Sequence, residues 1–171
     1  MNKEILCAEF IKEHFRYDPE TGFIYKIKGR NCGNRVGCET TYGYQMFSFR
    51  FNNKKYSFYN HRAAWLLTFG KFPDNYIDHI DHDKTNNKLS NLRECTIQEN
   101  GFNRLKQNNR CDSIYKGVAY HKRDDKWQAS IMINKKLKFI GYFNNEKEAA
   151  LAYDKMALEN YKEFAALNFP L

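Results

Sequence analysis

The residue types with the greatest chemical potential lie between positions 78 and 103. This segment combines carboxylates, imidazoles and side-chain amides: Asp78-His79-Ile80-Asp81-His82-Asp83, Asn86-Asn87, Asn91-Leu92-Arg93, Asn100 and Asn103. Carboxylate and amide oxygens suit a hard cation such as Mg²⁺, and a neutral histidine beside such an ion can remove a proton from water. Hydrolysis of a phosphodiester needs both of these functions.

The elements around this segment must bring those groups together. Adjacent residues of a strand point to opposite faces, so Asp78 and His79 can serve one site only if a loop begins near Ile80. Downstream, Thr96-Ile97-Gln98-Glu99 fits a capping box and predicts a helix with Thr96 as its N-cap. Asn100 and Asn103 would lie on the first turns of that helix.

Local patterns predict the elements upstream of that segment. Their order is a helix over Ile5 to Phe15, a strand over residues 23–27, a glycine-rich loop over residues 28–43, a hairpin over residues 44–58 and a helix from His61 to Phe69. Gly70 directly follows the second helix and is predicted to be its C-cap.

The composition favours a folded, basic protein. Among 171 residues, Lys and Arg number 28 and Asp and Glu number 20, which gives a formal net charge of +8. This excess favours polyanionic partners, chiefly nucleic acid, although a protein that is merely basic and soluble would show the same charge. Hydrophobic residues make up 42% of the chain, which excludes wholesale disorder.

No signal for a membrane or for secretion is found in the sequence. No apolar run approaches the roughly 20 residues that span a bilayer, and the N-terminal stretch has no cleavage site. The five cysteines form no CxxC pair, which argues against a cysteine zinc site, and their odd number favours reduced thiols. We therefore expect a cytoplasmic protein without a membrane partner, in a bacterial host cell if a phage encodes it.

A second unit is predicted after the polar, basic stretch over residues 105–113. Strands are expected over residues 117–120, 127–133 and 137–143, followed by a helix over residues 146–160. The helix has a face of small residues that can lie close on a sheet. Residues 104–142 contain ten Lys or Arg and three Asp or Glu, whereas residues 144–171 contain three Lys and five acidic residues. The positive charge therefore lies on the sheet side.

The central segment resembles the HNH nucleases of phage and mobile introns. The matching residues are Asp78-His79-Ile80-Asp81, Asn86-Asn87, Asn91-Leu92-Arg93, Gln98-Glu99-Asn100, and upstream His61-Arg62 and Gly70-Lys71-Phe72-Pro73. The resemblance covers about residues 15–104 and implies a ββα-metal finger of strand, loop, strand and helix. It also implies a homing-type DNA endonuclease that uses Mg²⁺ or another divalent ion such as Mn²⁺.

The resemblance implies a role for each matching residue. His79 corresponds to the general base that activates water, and Asn91 to the asparagine that holds the loop and orients this base. Asp78 and Asn100 correspond to metal ligands. Many members of the family have histidine at the position of Asn100, and the asparagine here keeps an oxygen donor for Mg²⁺. Arg93 is left with two roles, a clamp on a DNA phosphate or a salt bridge within the finger.

Structural roles are expected for several neighbouring polar residues. Asn86 and Asn87 are typical of a turn, and His61 is expected to support the core with Arg62. His82 is expected to be a solvated loop residue, with contact to the metal or phosphate as the alternative.

Residues 114–170 resemble the APETALA/ERF-type DNA-binding domain of plant transcription factors, which is also found fused to phage HNH nucleases. The matching stretches are Tyr115-Lys116-Gly117-Val118, Lys126-Trp127-Gln128-Ala129-Ser130-Ile131, Ile140-Gly141-Tyr142-Phe143, Glu148 to Asp154 and Ala166 to Pro170. That family inserts a three-stranded sheet into the major groove, with a helix behind it. Ala119, His121, Met132 and Leu137 stand where plant members have base-reading arginines. This chain is therefore not expected to recognise the DNA sequence that the plant members bind.

Eight residues of this second unit are predicted to contact DNA: Lys116, His121, Lys122, Arg123, Gln128, Ser130, Lys135 and Lys138. Lys and Arg would bind phosphates, while Gln128 and Ser130 would reach base edges. Trp127 is expected in the core, whereas Phe139 fits either the core or the DNA-binding face.

The sequence therefore predicts an α+β protein with an N-terminal ββα-metal (HNH) nuclease domain over residues 1–104 and a linker over residues 105–113. Residues 114–171 are predicted to form a three-stranded antiparallel sheet packed on one helix. The predicted function is site-specific cleavage of double-stranded DNA, with nicking by a monomer and no obligate protein partner. One alternative is a catalytically inactive DNA-binding transcriptional regulator, against which the intact set Asp78, His79, Asn91 and Asn100 argues. An RNA-binding module is less favoured, since no aromatic pair resembles an RNA-recognition motif.

Overall fold

The computed structural model describes residues 3–106 and 112–170, and the chain divides into two compact units, Met1–Ile97 and Gln98–Leu171. Residues 107–111, the larger part of the predicted linker, lie outside the described residues. The division falls before residue 104 because Phe102 belongs to the second unit, where its ring stacks on Tyr161 with centroids 3.7 Å apart. The domain limits 1–104, 105–113 and 114–171 stay a prediction.

Helices and small antiparallel sheets alternate in the first unit. Helix α1 (Lys3–His14) precedes a sheet formed by β1 (Phe15–Asp18), β2 (Phe23–Lys26) and β3 (Arg35–Val36). The second sheet is formed by β4 (Cys38–Glu39), β5 (Gln45–Phe51) and β6 (Lys54–Tyr59), and α2 (Asn60–Phe69) follows it directly. The third sheet pairs β7 (Tyr76–His79) with β8 (Leu92–Cys95), and a 3-10 turn (Leu89–Asn91) precedes β8.

The core of the first unit holds β7 and β8 in place. Its main cluster joins α1, α2 and the first two sheets through Ile11, Phe15, Ile24, Phe47, Ala63 and Leu66. A second cluster packs Ala64 of α2 against Ile77 of β7 and Leu92 of β8. Burial of these apolar side chains stabilises the strand that ends at His79.

Two predicted features of the first unit have different outcomes. The C-cap prediction is confirmed, because Gly70 adopts a left-handed conformation with φ 76° and its N–H donates to Leu66 O. The predicted loop over residues 28–43, by contrast, contains the two-residue strands β3 and β4. They form by pairing with β2 and β5, and such short strands leave no local periodicity in the sequence.

The second unit has the predicted sheet and helix. Helix α3 (Ile97–Phe102) lies at its start, and the sheet has the order β11-β10-β9, from β9 (Val118–His121), β10 (Lys126–Ile133) and β11 (Lys136–Phe143). The strands are antiparallel, and α4 (Glu146–Tyr161) packs against them. Asn145 caps α4, because its Oδ1 accepts the Lys147 N–H at 2.7 Å. With small antiparallel sheets and few helices, the α+β class is confirmed.

Small residues allow α4 to lie close to its sheet. Ala149 and Ala150 pack with Val118 and Ala129, and Trp127 lies against this cluster as expected. Gly117 has φ 76°, and a Cβ atom there would come within 2.0 Å of the Tyr153 ring, so the close approach requires glycine. Throughout residues 3–106 and 112–170, every helix is too short or too polar to span a bilayer.

Candidate active site and nucleic-acid interface

The strand that carries the predicted catalytic pair ends where the sequence requires. β7 ends at His79, and the chain turns immediately, with the His82 N–H donating to His79 O at 3.1 Å. Asp78 and His79 pair with Arg93 and Leu92 of β8, and their exposed fractions are 6% and 5%. Both side chains are therefore shielded from bulk water, and their hydrogen-bond partners in the protein determine their orientation and protonation.

Asn87 is a hydrogen-bond partner of the His79 ring. Its Oδ1 lies 3.2 Å from His79 Nε2, while its Nδ2 donates to Thr85 O at 3.0 Å. The second contact fixes the orientation of the amide, so the group facing His79 is an acceptor. Nε2 must then carry the hydrogen, and in the neutral ring the lone pair able to accept a proton lies on Nδ1.

Burial keeps His79 in the neutral form that a base requires. Desolvation lowers the pKa of His79, and the hydrogen bond that its Nε2 donates to Asn87 Oδ1 and the charge of Asp78 oppose this shift without reversing it.

Asn91 fastens the loop that follows His79. Its Nδ2 donates to Asp81 Oδ1 and to Asn86 O, each at 2.8 Å, and its Oδ1 accepts the Asp81 N–H at 3.0 Å. These contacts fit the predicted role of holding the loop. The His79 ring is hydrogen-bonded to Asn87, which sequence reasoning assigned to a turn, because an Asn-Asn pair shows no local sign of burial.

Asp78 forms an ion pair with Arg93. Both Nε and Nη2 of Arg93 donate to Asp78 Oδ2, at 2.9 and 2.7 Å. The structure therefore contains the salt bridge that was one of the two roles left open for Arg93, and the phosphate clamp stays a prediction. A cation bound to Asp78 has to share this carboxylate with the guanidinium.

Aromatic rings surround His79 on another side. The rings of His61 and His79 are nearly perpendicular, with centroids 5.2 Å apart, while Tyr59 stacks on His61 at 5.4 Å and Tyr44 lies 6.0 Å from His79. His61 is 7% exposed, and within the described residues its Nδ1 has no hydrogen-bond partner. Burial, with smaller effects of His79 and Arg62, lowers the pKa of His61 to about 3. Neutral His61 thus packs directly against His79, which its sequence position did not indicate.

The donor set suits a hard cation only in part. Asp78 offers carboxylate oxygen and Asn100 amide oxygen, both of which Mg²⁺ accepts. Asn100 is half-buried on α3, and α3 from Gln98 onward is grouped with the second unit. Within residues 3–106 and 112–170, no group of three or more His, Cys, Asp or Glu could hold a metal ion. The half-buried His82 has a left-handed backbone with φ 66°, and its contact with a metal stays a prediction.

On the sheet of the second unit, most of the predicted DNA contacts lie in exposed or half-exposed positions. Lys122, Arg123, Lys135 and Lys138 are exposed, and Gln128 and Ser130 are half-buried on β10. Arg123 Nε donates to Asp124 at 3.0 Å, and His121 Nδ1 lies 3.3 Å from the other carboxylate oxygen of Asp124. Phe139 is 52% exposed, so the structure places it on the surface of the sheet and not in the core.

Lys116 is occupied inside the second unit. Its ammonium donates to Phe102 O at 2.7 Å, and burial lowers its pKa to about 8 against the opposing charge of Asp154. This contact fixes the start of the unit, and the DNA contact of Lys116 stays a prediction.

Comparison with known proteins assigns the segment that contains these groups. Residues 58–102 match the family model described as HNH endonuclease. The chain contains an HNH endonuclease domain. This HNH domain includes Asp78, His79, Asn91 and Asn100, and the matched segment runs from the end of β6 to the end of α3. An uncharacterized HNH endonuclease, L560, of Acanthamoeba polyphaga mimivirus is 41% identical over 110 residues, which cover 63% of this chain and 56% of that protein.

Other relatives extend beyond the HNH domain. The ethylene-responsive transcription factor WRI1 of Arabidopsis thaliana is 27% identical over 137 residues, covering 75% of this chain and 30% of that protein. Protein 3.8 of Escherichia phage T7 is 33% identical over 72 residues, which cover 42% of this chain and 59% of that protein. A solved structure of DNA binding and cleavage by the HNH homing endonuclease I-HmuI is 26% identical, with a TM-score of 0.43 over 52% of this chain and 49% of that one. The chain thus spans just over half the length of the mimivirus relative.

Proposed function

We propose that this chain is a site-specific, divalent-metal-dependent DNA endonuclease of the HNH homing type, which nicks one strand as a monomer. The observation that carries the proposal is the His79–Asn87 hydrogen bond beside Asp78, inside the segment that matches the HNH family. A buried, neutral histidine with a fixed tautomer is suited to general-base catalysis.

In this proposal His79 removes the proton of the attacking water. Asn87 holds the hydrogen on Nε2 so that Nδ1 accepts the proton, and the aromatic rings of His61 and Tyr44 keep the imidazole in one orientation. Asn91 keeps the loop after β7 in the conformation that places His79. Pre-organisation of this kind avoids the cost of ordering the base during each turnover.

Asp78 and Asn100 are the proposed metal ligands, and Arg93 adjusts the charge at Asp78. A bound Mg²⁺ or Mn²⁺ would stabilise the negative charge that develops on the scissile phosphate and on the leaving 3′ oxygen.

The second unit is proposed to select the cleavage site on double-stranded DNA. Its sheet exposes Lys122, Arg123, Lys135 and Lys138, whose charges suit phosphates, and Gln128 and Ser130 suit base edges. The similarity to plant ethylene-responsive transcription factors supports this assignment. We also propose the limits of residues 1–104 for the nuclease domain and 114–171 for this DNA-binding domain.

The decisive experiment is incubation of the full chain with supercoiled plasmids that carry candidate sites, with Mg²⁺, with Mn²⁺ and with EDTA. We expect open-circular product with either cation and none with EDTA. His79→Ala should lower the cleavage rate by about 10²–10⁴-fold while DNA binding persists. His14→Ala, at the end of α1, is the matched control. Near-normal cleavage by the His79 variant would contradict the proposal, and DNA binding without cleavage by the wild type would favour a regulator.

Fragments test the division of labour. A fragment from residue 113 onward should bind DNA with an affinity that falls steeply as the salt concentration rises, because phosphate contacts release counterions. A fragment ending at residue 106 should cut in a metal-dependent manner with poorer discrimination between sites. If the shorter N-terminal fragment cuts the same site at the same protein concentration, the sheet does not determine specificity.

A further inference from the structure

The face of the sheet opposite α4 has an apolar row. Ala129 and Ile131 of β10 are buried, so the alternating residues Gln128, Ser130 and Met132 lie on the other face. Their partners on β11 are Tyr142, Phe139 and Leu137, and paired residues of neighbouring strands share a face.

Four side chains of this face are both apolar and exposed. The exposed fractions are 50% for Met132, 66% for Leu137, 52% for Phe139 and 43% for Tyr142. The rings of Phe139 and Tyr142 are in contact, with centroids 5.0 Å apart. These four residues are called the apolar row below. Exposure of a contiguous apolar surface to water is unfavourable, and such a surface is typical of an interaction site.

Positive charge surrounds the apolar row. Residues 118–143 contain six Lys or Arg and two acidic residues, and the segment 135–139 reads Lys-Lys-Leu-Lys-Phe, with its lysines exposed. Such a surface favours a polyanion with apolar groups of its own. In the major groove of DNA, the apolar group that a base edge presents is the C5 methyl of thymine.

We propose that the apolar row reads thymine methyl groups, so that the preferred site of this protein contains thymines where Met132, Leu137 and Phe139 enter the groove. This inference rests on the proposed function, in which the sheet of the second unit binds DNA. Against the apolar row, the C5 methyl of thymine gains apolar contact. The polar groups on the edge of a G·C pair would instead lose their hydrogen bonds to water and find no hydrogen-bond partner among these side chains.

Geometry sets the length of the thymine-containing tract. From Gln128 to Met132 the strand advances four residues, or about 13 Å, which corresponds to roughly four base-pair steps. Gln128 and Ser130 lie along the same face and can donate or accept hydrogen bonds between the apolar contacts. The expected preference is therefore a tract of about four base pairs with thymines at several positions.

The test uses the full chain in EDTA, which prevents metal-dependent cleavage. Duplexes bound from a random library are sequenced, and the best duplex is titrated beside a copy in which every thymine is replaced by uracil, which lacks only the methyl. We expect thymine enrichment in the bound pool and an affinity about fourfold lower for each methyl removed from an apolar contact.

Variants assign the difference to the apolar row. In the double variant M132S/L137S, both positions are exposed, so the fold should be kept, and the thymine and uracil duplexes should bind with affinities closer together. L151S, at a 56% exposed position on α4, is the matched control and should keep the full difference. Thermal unfolding of each variant confirms that the domain is folded.

The outcomes separate the two proposals. Tight, salt-dependent binding with no difference between thymine and uracil overturns the reading of methyl groups and leaves the DNA-binding function in place. Absence of binding to every duplex overturns both. A difference that survives in M132S/L137S, or a wild-type dimer that this variant converts to a monomer without a change in DNA affinity, also overturns the inference.

Discussion

Gly22, in the turn between β1 and β2, lies against the backbone of Asn87. A Cβ atom on Gly22 would stand 2.7 Å from the Asn87 carbonyl carbon and 2.5 Å from the Lys88 nitrogen, and Gly22 itself has φ 73°. Tyr17, in β1, adds a hydrogen bond from its hydroxyl to Asn87 O at 2.8 Å. The first sheet thus supports the asparagine that holds His79.

Gly22→Ala should therefore impair cleavage from a position outside the catalytic loop. The methyl must displace the backbone of Asn87 and is strained at positive φ, so we expect a lower melting temperature and a cleavage rate reduced about tenfold or more. Gly33→Ala is the control, because no atom lies within 4 Å of a Cβ there although its φ is also positive. Cleavage rates measured well below both melting temperatures should differ between the two variants. Equal rates would show that Gly22 does not support Asn87.

Asn87→Ala tests the orientation of the base directly. Without Oδ1 opposite Nε2, His79 can adopt the other tautomer, and we expect cleavage to fall by about 10–100-fold with little loss of DNA affinity. Asn86→Ala is the comparison, since Asn86 contacts Asp81 in the same loop through its Nδ2 at 2.7 Å. If the two variants lose the same activity, loop rigidity and not the tautomer of His79 is what matters.

Arg93→Ala tests the ion pair at Asp78. Removal of one partner leaves a buried carboxylate without its guanidinium, which costs about 3–5 kcal/mol in unfolding free energy. If Asp78 is a metal ligand, millimolar Mg²⁺ should raise the melting temperature of this variant more than that of the wild type. The double variant with Asp78→Asn should lose this response to Mg²⁺. A response that persists would place the cation elsewhere.

His61 makes stability depend on pH. Its pKa is about 3 in the folded protein, below the ordinary value of 6.5, because burial disfavours the charged ring. The unfolded chain therefore binds a proton that the folded protein does not, so stability is full above pH 6.5 and is lost as the pH falls toward 3. Denaturant titrations from pH 7 to pH 4 should show this loss, and His61→Gln should make the profile shallower. An unchanged slope would indicate that His61 is already charged in the folded state.

Much of the candidate site follows from local sequence. The Asp78-His79 pair, the loop after it and the helix that follows Thr96 were predictable because strand alternation and helix capping depend on residues close in the chain. Helix α2 with its Gly70 cap and the three strands and helix after residue 117 follow from the same kind of pattern.

Tertiary structure alone decided the partners of those residues. Asn87 faces His79 because Tyr17 and Gly22 press on its backbone from 65 or more positions earlier in the chain. His61 meets His79 because α2 packs on β7 and β8, and Phe102 joins the second unit through its stack on Tyr161. Such contacts join elements distant in sequence, and their energies depend on packing and burial, which no local period or spacing encodes.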